Sequence, residues 1–334
     1  MSTAIPPATP QPRSPHSQPA QPRPPHGARD GQLIDGSSLA VRLANFVKLP
    51  HTVFAMPFAL IGVLFASTIA PISLRVVGWV LVAFTAARFA AMGFNRIVDR
   101  DIDAINPRTA NRELPRGALT LTQAKASVVV ASLIFVMASA QLNSLCAWLS
   151  PIALLWVLGY SYTKRFTRWS HLWLGLGLSI APVGGYLAVT GTWSDPWWLL
   201  CALAMVVVTW SGGFDMLYAL QDADFDKVNR LHSIPSTIGV PSAIRLARTL
   251  HVVSVACLAL VVWARPLGEV SRTVEAILWT GVVGVAAMLI WEHRLVKDDD
   301  LSKIDAAFFT VNGFISIGLL SIVLVARLVA GQGS

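Results

Sequence analysis

The sequence predicts an all-α, polytopic membrane bundle of about nine transmembrane helices. The 334-residue chain is 54% hydrophobic, with a mean hydropathy of +0.59. Its apolar residues fall in successive runs of about 20, the length a helix needs to cross a hydrocarbon core ~30 Å thick. Continuous runs of this kind favour helices over a barrel, because a helix satisfies its own backbone hydrogen bonds in lipid, and no alternating ten-residue strands are seen.

The spans follow in order. The first, near 45–70, comes after a Pro-rich tail, and the second, 76–97, runs into a charged stretch. Spans at 121–141 and 145–162 are separated only by a short turn, and a basic loop leads into 171–190. The sixth, 197–219, ends in a second acidic cluster, and 247–264, 273–292 and 305–329 complete the bundle. With the N-terminus in the cytoplasm, the cytoplasmic segments hold 21 of the 26 Lys and Arg residues. The opposite side holds Arg75, Arg265, Arg272 and Arg327, and Arg88 lies inside the second span. This asymmetry gives an N-in, C-out protein integral to the cell (inner) membrane.

Residues 1–30 contain nine prolines and no apolar signal-peptide core. Residues 1–40 therefore read as a disordered, partly polyproline II tail, and 41–334 as the membrane domain. The net charge of +8 is mainly a topology signal, so nucleic acid is not an expected partner. Cys146, Cys201 and Cys257 lie in spans without metal-ligand spacing and indicate neither zinc nor disulfides.

NRIVDRDIDAINPRTANRELPRG, residues 95–117, places nine charged side chains in 23 positions. Asn95, Asp99 and Asp103 are spaced i, i+4, i+8 and share one helical face if the helix continues past the membrane. A second cluster, DMLYALQDADFDK at 215–227, repeats the spacing with Asp222 and Asp226. A shift of 123 residues lays Asp99 on Asp222 and Asp103 on Asp226, with Tyr218 in the place of Asn95. Carboxylates beside apolar helices need compensation. Mg2+ supplies it through a few carboxylates while keeping other positions for water and phosphate oxygens. The alternative is a salt-bridged loop in which Arg96, Arg100, Arg108, Arg112 and Arg116 neutralise the acids.

A third cytoplasmic stretch, GYSYTKRFTRWS at 159–170, carries Lys164, Arg165 and Arg168. Beside Mg2+ and a diphosphate, Lys164 would neutralise the leaving group; by itself the stretch is ordinary positive-inside sequence.

These motifs resemble the UbiA superfamily of intramembrane prenyltransferases. NRIVDRDID fits that family's NxxxDxxxD motif, QDADFD its second DxxxD motif, and YSYTKR the Tyr/Lys loop between them. The resemblance covers about residues 40–330. LPHTVFAMPFALIG, NPRTANRELPRG and YALQDADFDKVNRLHSIPSTIG are most similar to the 4-hydroxybenzoate polyprenyltransferase branch. The resemblance implies Mg2+-dependent transfer of a polyprenyl chain from its diphosphate to a phenolic aromatic acid, 4-hydroxybenzoate first, in quinone biosynthesis. Alternatives are 1,4-dihydroxy-6-naphthoate in menaquinone synthesis and haem O synthase-like farnesyl transfer. A secondary transporter is the alternative of another class, although its binding groups usually lie near the midplane.

On that reading Asn95, Asp99, Asp103, Asp222 and Asp226 hold Mg2+ against the diphosphate. Lys164 holds the departing diphosphate with help from Arg112 or Arg116. Tyr160 and Tyr218 border the aromatic substrate. Arg88, seven residues before Asn95 and on the same helix face, anchors the substrate carboxylate or else pairs with Asp215. Gly175, Gly177, Gly184, Gly185, Gly212 and Gly213 either leave room for the prenyl chain or let helices pack closely. Asp215 has Ala219 four residues later, which breaks the DxxxD pattern.

Overall fold

A computed structural model describes residues 34–49, 52, 55–268, 271–297 and 301–332. Most of the Pro-rich tail lies outside the described residues. Ile34 already pairs with the Asn45 side chain through both its backbone groups, at 2.9 Å each, so ordered structure starts ahead of residue 41. Two short helices, α1 (Leu39–Phe46) and α2 (Met56–Ala66), precede α3 (Leu74–Val98) and the short α4 (Arg100–Ile105). The antiparallel run α5 (Leu121–Ala140), α6 (Ser144–Thr163), α7 (Ser170–Thr190) and α8 (Trp198–Tyr218) follows. A 3-10 turn (Ala219–Asp222) leads to the short helices α9 (Ala223–Val228) and α10 (Ile234–Ile238). Then come α11 (Val240–Trp263), α12 (Arg272–Leu295), a π-helical turn (Ala306–Val311) and α13 (Asn312–Gln332).

Among the described residues, eight helices are long and apolar enough to cross a membrane. Side chains define their starts: Ser73 accepts from the Val76 amide, Thr120 forms a capping box with Gln123, and Asn143 and Ser271 cap α6 and α12.

The expected first span, 45–70, is not one helix. Helix α1 ends at Phe46, Lys48 takes a left-handed φ of 49°, and Pro57 opens α2 instead of interrupting it. With 11 residues, α2 rises about 17 Å, roughly half the hydrocarbon thickness. Such a short helix is tolerated because it is buried in protein, where its ends need not meet lipid. Its backbone touches that of α7. A Cβ on Gly62 would come within 2.0 Å of the Pro182 carbonyl oxygen, and one on Gly185 within 2.1 Å of that of Ala59.

Helix α8 is the central post. It is buried along 78% of its most apolar 18 residues, against 11–39% for the other seven long helices, and it packs on α7 and α11. Gly175 meets the Val208 carbonyl oxygen, Gly212 meets Leu172, and Gly213 meets His251, each within 3.0 Å of where a Cβ would stand. These three, with Gly185, are close-packing glycines. Gly177 and Gly184 have room beside them and line a cavity. An aromatic ladder of Phe58, Trp210, Phe214 and Phe308, with centroids 4.8–5.2 Å apart, joins α2 and α8 to the π-helical turn.

Candidate active site

The two acidic motifs sit at equivalent joints. Asp99 is the single residue between α3 and α4, with φ −91° and ψ 5°. Asp222 joins the 3-10 turn to α9 with φ −102° and ψ 3°. Both occupy the bridge region, common for active-site residues. The i→i+4 hydrogen bonds persist through the first joint, Asp99 N to Asn95 O at 2.9 Å and Asp103 N to Asp99 O at 2.7 Å. The Asn95, Asp99, Asp103 face therefore survives the bend, and the 123-residue repeat seen in sequence is a repeat of geometry.

Every one of these carboxylates has a cationic neighbour. Arg108 forms a bidentate pair with Asp222, its Nε at 2.9 Å, and its Nη1 donates to the Tyr218 hydroxyl at 3.2 Å. Asn106 Nδ2 donates to the same carboxylate at 3.2 Å. Arg112 Nη1 donates to Asp103 at 2.6 Å, with Arg96 at 3.9 Å. Asp99 lies 3.1 Å from Arg165 and accepts from Asn95 Nδ2 at 2.9 Å. Arg116 pairs with Glu113 at 3.3 Å, at the rim. Arginines thus pair with Asp99, Asp103 and Asp222, the arrangement that a salt-bridged loop predicts.

Lys164 caps the end of α6, and its carbonyl accepts from the His232 amide at 2.7 Å, tying this loop to the segment after α9. Burial works against its charge, but Asp226, Asp222, Asp215 and Asp99 outweigh that and raise the ammonium above its ordinary pKa. Asp99 is raised by burial, with Arg165 opposing. Lys48 shows the opposite balance: burial, then Arg96, Arg112 and Arg108, lower it to about 6, with Glu113 opposing. This cationic crowd suits an anion.

An apolar cavity of about 550 Å³ opens beneath the joints, between α3, α5, α6 and α7. Asn95 and Tyr160 line it on the motif side, and Trp156, Trp173, Gly177 and Gly184 along its length. Arg88 also lines it. Its Nε donates to Thr52 at 3.2 Å, and no carboxylate pairs with it among the described residues. Asp215, the alternative partner for Arg88, is bonded instead to His171 Nδ1 at 2.7 Å. Tyr218 does not line the cavity: it stacks on Phe308 with centroids 4.3 Å apart and receives Arg108. Sequence reasoning passed over Asn106, Thr52 and His171. Nothing in a single sequence ties His171 to Asp215, 44 positions away.

Among the described residues, no three His, Cys, Asp or Glu side chains form a closed metal site. Asp103 Oδ2 and Asp226 Oδ2, however, are buried oxygens with no hydrogen-bond partner. Hard, anionic oxygens supplied singly fit Mg2+, whose other positions go to water and phosphate.

Comparison with known proteins agrees with this geometry. The family model described as UbiA prenyltransferase family matches residues 55–317. The chain is 25% identical over 279 residues to a 4-hydroxybenzoate octaprenyltransferase of Shewanella woodyi, covering 83% of this chain and 93% of that protein. It is 29% identical over 259 residues to the protein of that name from Edwardsiella ictaluri, covering 75% and 84%. Among solved structures, the apo form of a UbiA homolog from Aeropyrum pernix K1 superposes with a TM-score of 0.74 at 30% identity, covering 84% of this chain and 98% of that one. A UbiA homolog from Archaeoglobus fulgidus bound to GPP and Mg2+ shares the fold, with a TM-score of 0.67 at 16% identity and coverage of 86% and 99%. Two matched acidic joints over an apolar cavity in an integral membrane bundle, together with a family match over most of the chain, make this protein a member of the UbiA prenyltransferase family.

Proposed function

We propose that the protein transfers a polyprenyl chain from its diphosphate to the ring carbon ortho to the hydroxyl of a phenolic aromatic acid, with 4-hydroxybenzoate as the favoured acceptor in quinone biosynthesis. The observation that carries this reading is Arg88: a half-buried guanidinium within a membrane span, in a largely apolar cavity, without a protein carboxylate among the described residues. Such a group suits a substrate carboxylate, which it can hold with two parallel hydrogen bonds. The names of the relatives support the same acceptor.

On this reading Asn95, Asp99 and Asp103 from one joint, and Asp222 and Asp226 from the other, hold the metal–diphosphate head. Mg2+, when bound, supplies Lewis-acid stabilisation of the diphosphate charge. The cavity takes the prenyl chain; its volume is in the ~300–1,000 Å³ range of small-ligand sites. As the allylic C–O bond breaks, Lys164 and Arg112 neutralise the departing diphosphate, and Arg116 adds positive charge at the rim. Tyr160 borders the cation. Tyr218 acts through Arg108, which it holds beside Asp222. The ring carbon then forms the new C–C bond and releases its proton. The reaction faces the cytoplasm of the inner membrane.

The test is to incubate purified protein with a labelled prenyl diphosphate, Mg2+ and a panel of phenolic acids that includes 1,4-dihydroxy-6-naphthoate. Labelled prenyl-4-hydroxybenzoate is the expected product. Turnover of the naphthoate alone would overturn the acceptor assignment, and no Mg2+-dependent turnover of any acceptor would overturn the reaction.

A further inference from the structure

Trp156 on α6 and Trp173 on α7 line the cavity wall, and the proposed reaction leaves them without a role. Their rings stack face to face, with centroids 4.2 Å apart and an interplanar angle of 9°. The pairing is reciprocal. Trp156 Nε1 donates to the Trp173 carbonyl at 3.3 Å, and Trp173 Nε1 donates to the Trp156 carbonyl at 3.1 Å. Each ring also lies beside a glycine of the facing helix: a Cβ on Gly177 would stand 3.8 Å from Trp156 Cδ1, and one on Gly159 3.7 Å from Trp173 Cζ2. With both N–H groups committed to backbone carbonyls, the pair offers the cavity no hydrogen-bond donor. What remains is indole carbon, a surface for hydrocarbon and not for a carboxylate or a phosphate.

Position along α6 decides which part of a substrate meets this surface. Trp156, Tyr160 and Lys164 follow one another at four-residue intervals up to the end of α6. Tyr160 and Trp156 therefore lie about one and two helical turns, ~6 and ~12 Å, below the lysine proposed to hold the diphosphate. An extended isoprene unit adds four carbon–carbon bonds, about 5 Å of zigzag chain at ~1.5 Å per bond, close to the ~5.4 Å pitch of a helix. We propose that the Trp156–Trp173 pair is the subsite for the second isoprene unit of the donor and selects against the one-unit donor, dimethylallyl diphosphate. The inference rests on the prenyl-donor reading and deepens it from a cavity that holds a chain to a wall that recognises one unit of it. The first unit lies at Tyr160 and the second on the indoles. Later units follow the cavity past Ala153 and Leu149 on α6 and Gly177 and Gly184 on α7. A one-unit donor ends short of the indoles, whereas a longer one gains their apolar contact.

The test measures Mg2+-dependent binding of inorganic diphosphate, dimethylallyl thiolodiphosphate and geranyl thiolodiphosphate to purified full-length protein; the bridging sulfur of the two prenyl probes resists ionisation. Wild-type protein should bind the geranyl probe at least about 10-fold more tightly than the dimethylallyl probe, the scale of added carbons in an apolar pocket. Trp156→Leu and Trp173→Leu should each remove most of that preference by weakening the geranyl probe alone. Because each indole donates to a backbone carbonyl, either substitution leaves the other ring's hydrogen bond in place. Should both variants fail to fold, geranyl diphosphate carrying a diazirine on its second isoprene unit decides with wild-type protein. Crosslinks at Trp156 or Trp173 support the subsite, and crosslinks found only elsewhere overturn it. Wild-type protein without a geranyl preference, or a preference unchanged in the folded variants, would overturn the proposal. An equal loss for all three probes would also overturn it, making the pair a clasp between α6 and α7 and nothing more. No Mg2+-dependent binding of any probe would overturn both this proposal and the metal–diphosphate reading.

Discussion

At the scale of single residues, the site is a set of charges gathered at two helix joints, with Asp222 held by Arg108 and Asp99 by Arg165 and Asn95. Asp99 and Asp222 hold the two joints, so Asp99→Asn and Asp222→Asn, which keep shape and remove charge, should each lower prenyl transfer by roughly 100- to 1,000-fold. Product formation at near-normal rates in either folded variant would rule out a clamp with two sides. Arg88→Leu should raise the acceptor KM by about 10- to 100-fold, the scale of a lost charge-assisted hydrogen-bond pair, with the donor KM nearly unchanged. Steady-state kinetics with each substrate varied in turn separates these effects. Lys48 offers a pH readout. Its ammonium is depressed to about 6 by burial and three arginines, so near pH 7.5 most of it is neutral in the unliganded protein. A bound diphosphate favours the charged form. Binding of inorganic diphosphate at pH 7.5 should therefore take up protons, and uptake should fade as pH drops below 6, where Lys48 is already charged. Calorimetry in buffers of different ionisation enthalpy measures this directly; uptake that is unchanged in Lys48→Met would exclude Lys48 as the source.

At the scale of elements, two glycines adjacent in sequence border the cavity with different room beside them. Gly185 faces α2, where a Cβ would fall 2.1 Å from the Ala59 carbonyl oxygen, whereas Gly184 has nothing within 4 Å. Gly185→Ala must push two backbones apart, an overpacking cost of about 1–3 kcal/mol, and should lower thermal stability in detergent. Gly184→Leu should fold normally and select against long prenyl donors by filling the cavity. Equal stability losses in the two variants would show that Gly184 packs as well. The joints carry a lesson about legibility. The i, i+4 acid spacing is readable because helical periodicity is local. The bend at Asp99 and the 3-10 turn before Asp222 are set by what α3 and α8 meet at their ends, and no local pattern encodes them.

At the scale of the whole molecule, the bundle combines a central α8, a half-length α2 and a cavity flanked by α3, α5, α6 and α7. The charge distribution sets the expected orientation: the basic segments with both motifs inside, and the C-terminus of α13 outside. A reporter fused after residue 334 that is active only outside the cytoplasm should be active, while one inserted at Gly117, in the loop before α5, should be silent. The reverse pattern would invert the topology and place the chemistry on the other face.

The sequence by itself determined the helical membrane class, the second through ninth spans to within several residues, and the paired acids with their Lys164 loop. These follow from hydropathy and short-range periodicity, which depend on neighbours along the chain. It could not determine that residues 45–70 hold only the end of α1 and the half-length α2, because a buried half-helix and a full span have the same composition, and burial is a property of the partners. Which arginine meets which carboxylate was also open. Arg108 reaches Asp222 across 114 positions, and Asp215 turns to His171 rather than Arg88. Only the tertiary structure decides such pairings, because charge attraction has no sequence register: a buried ion takes whatever partner the packed helices bring within reach.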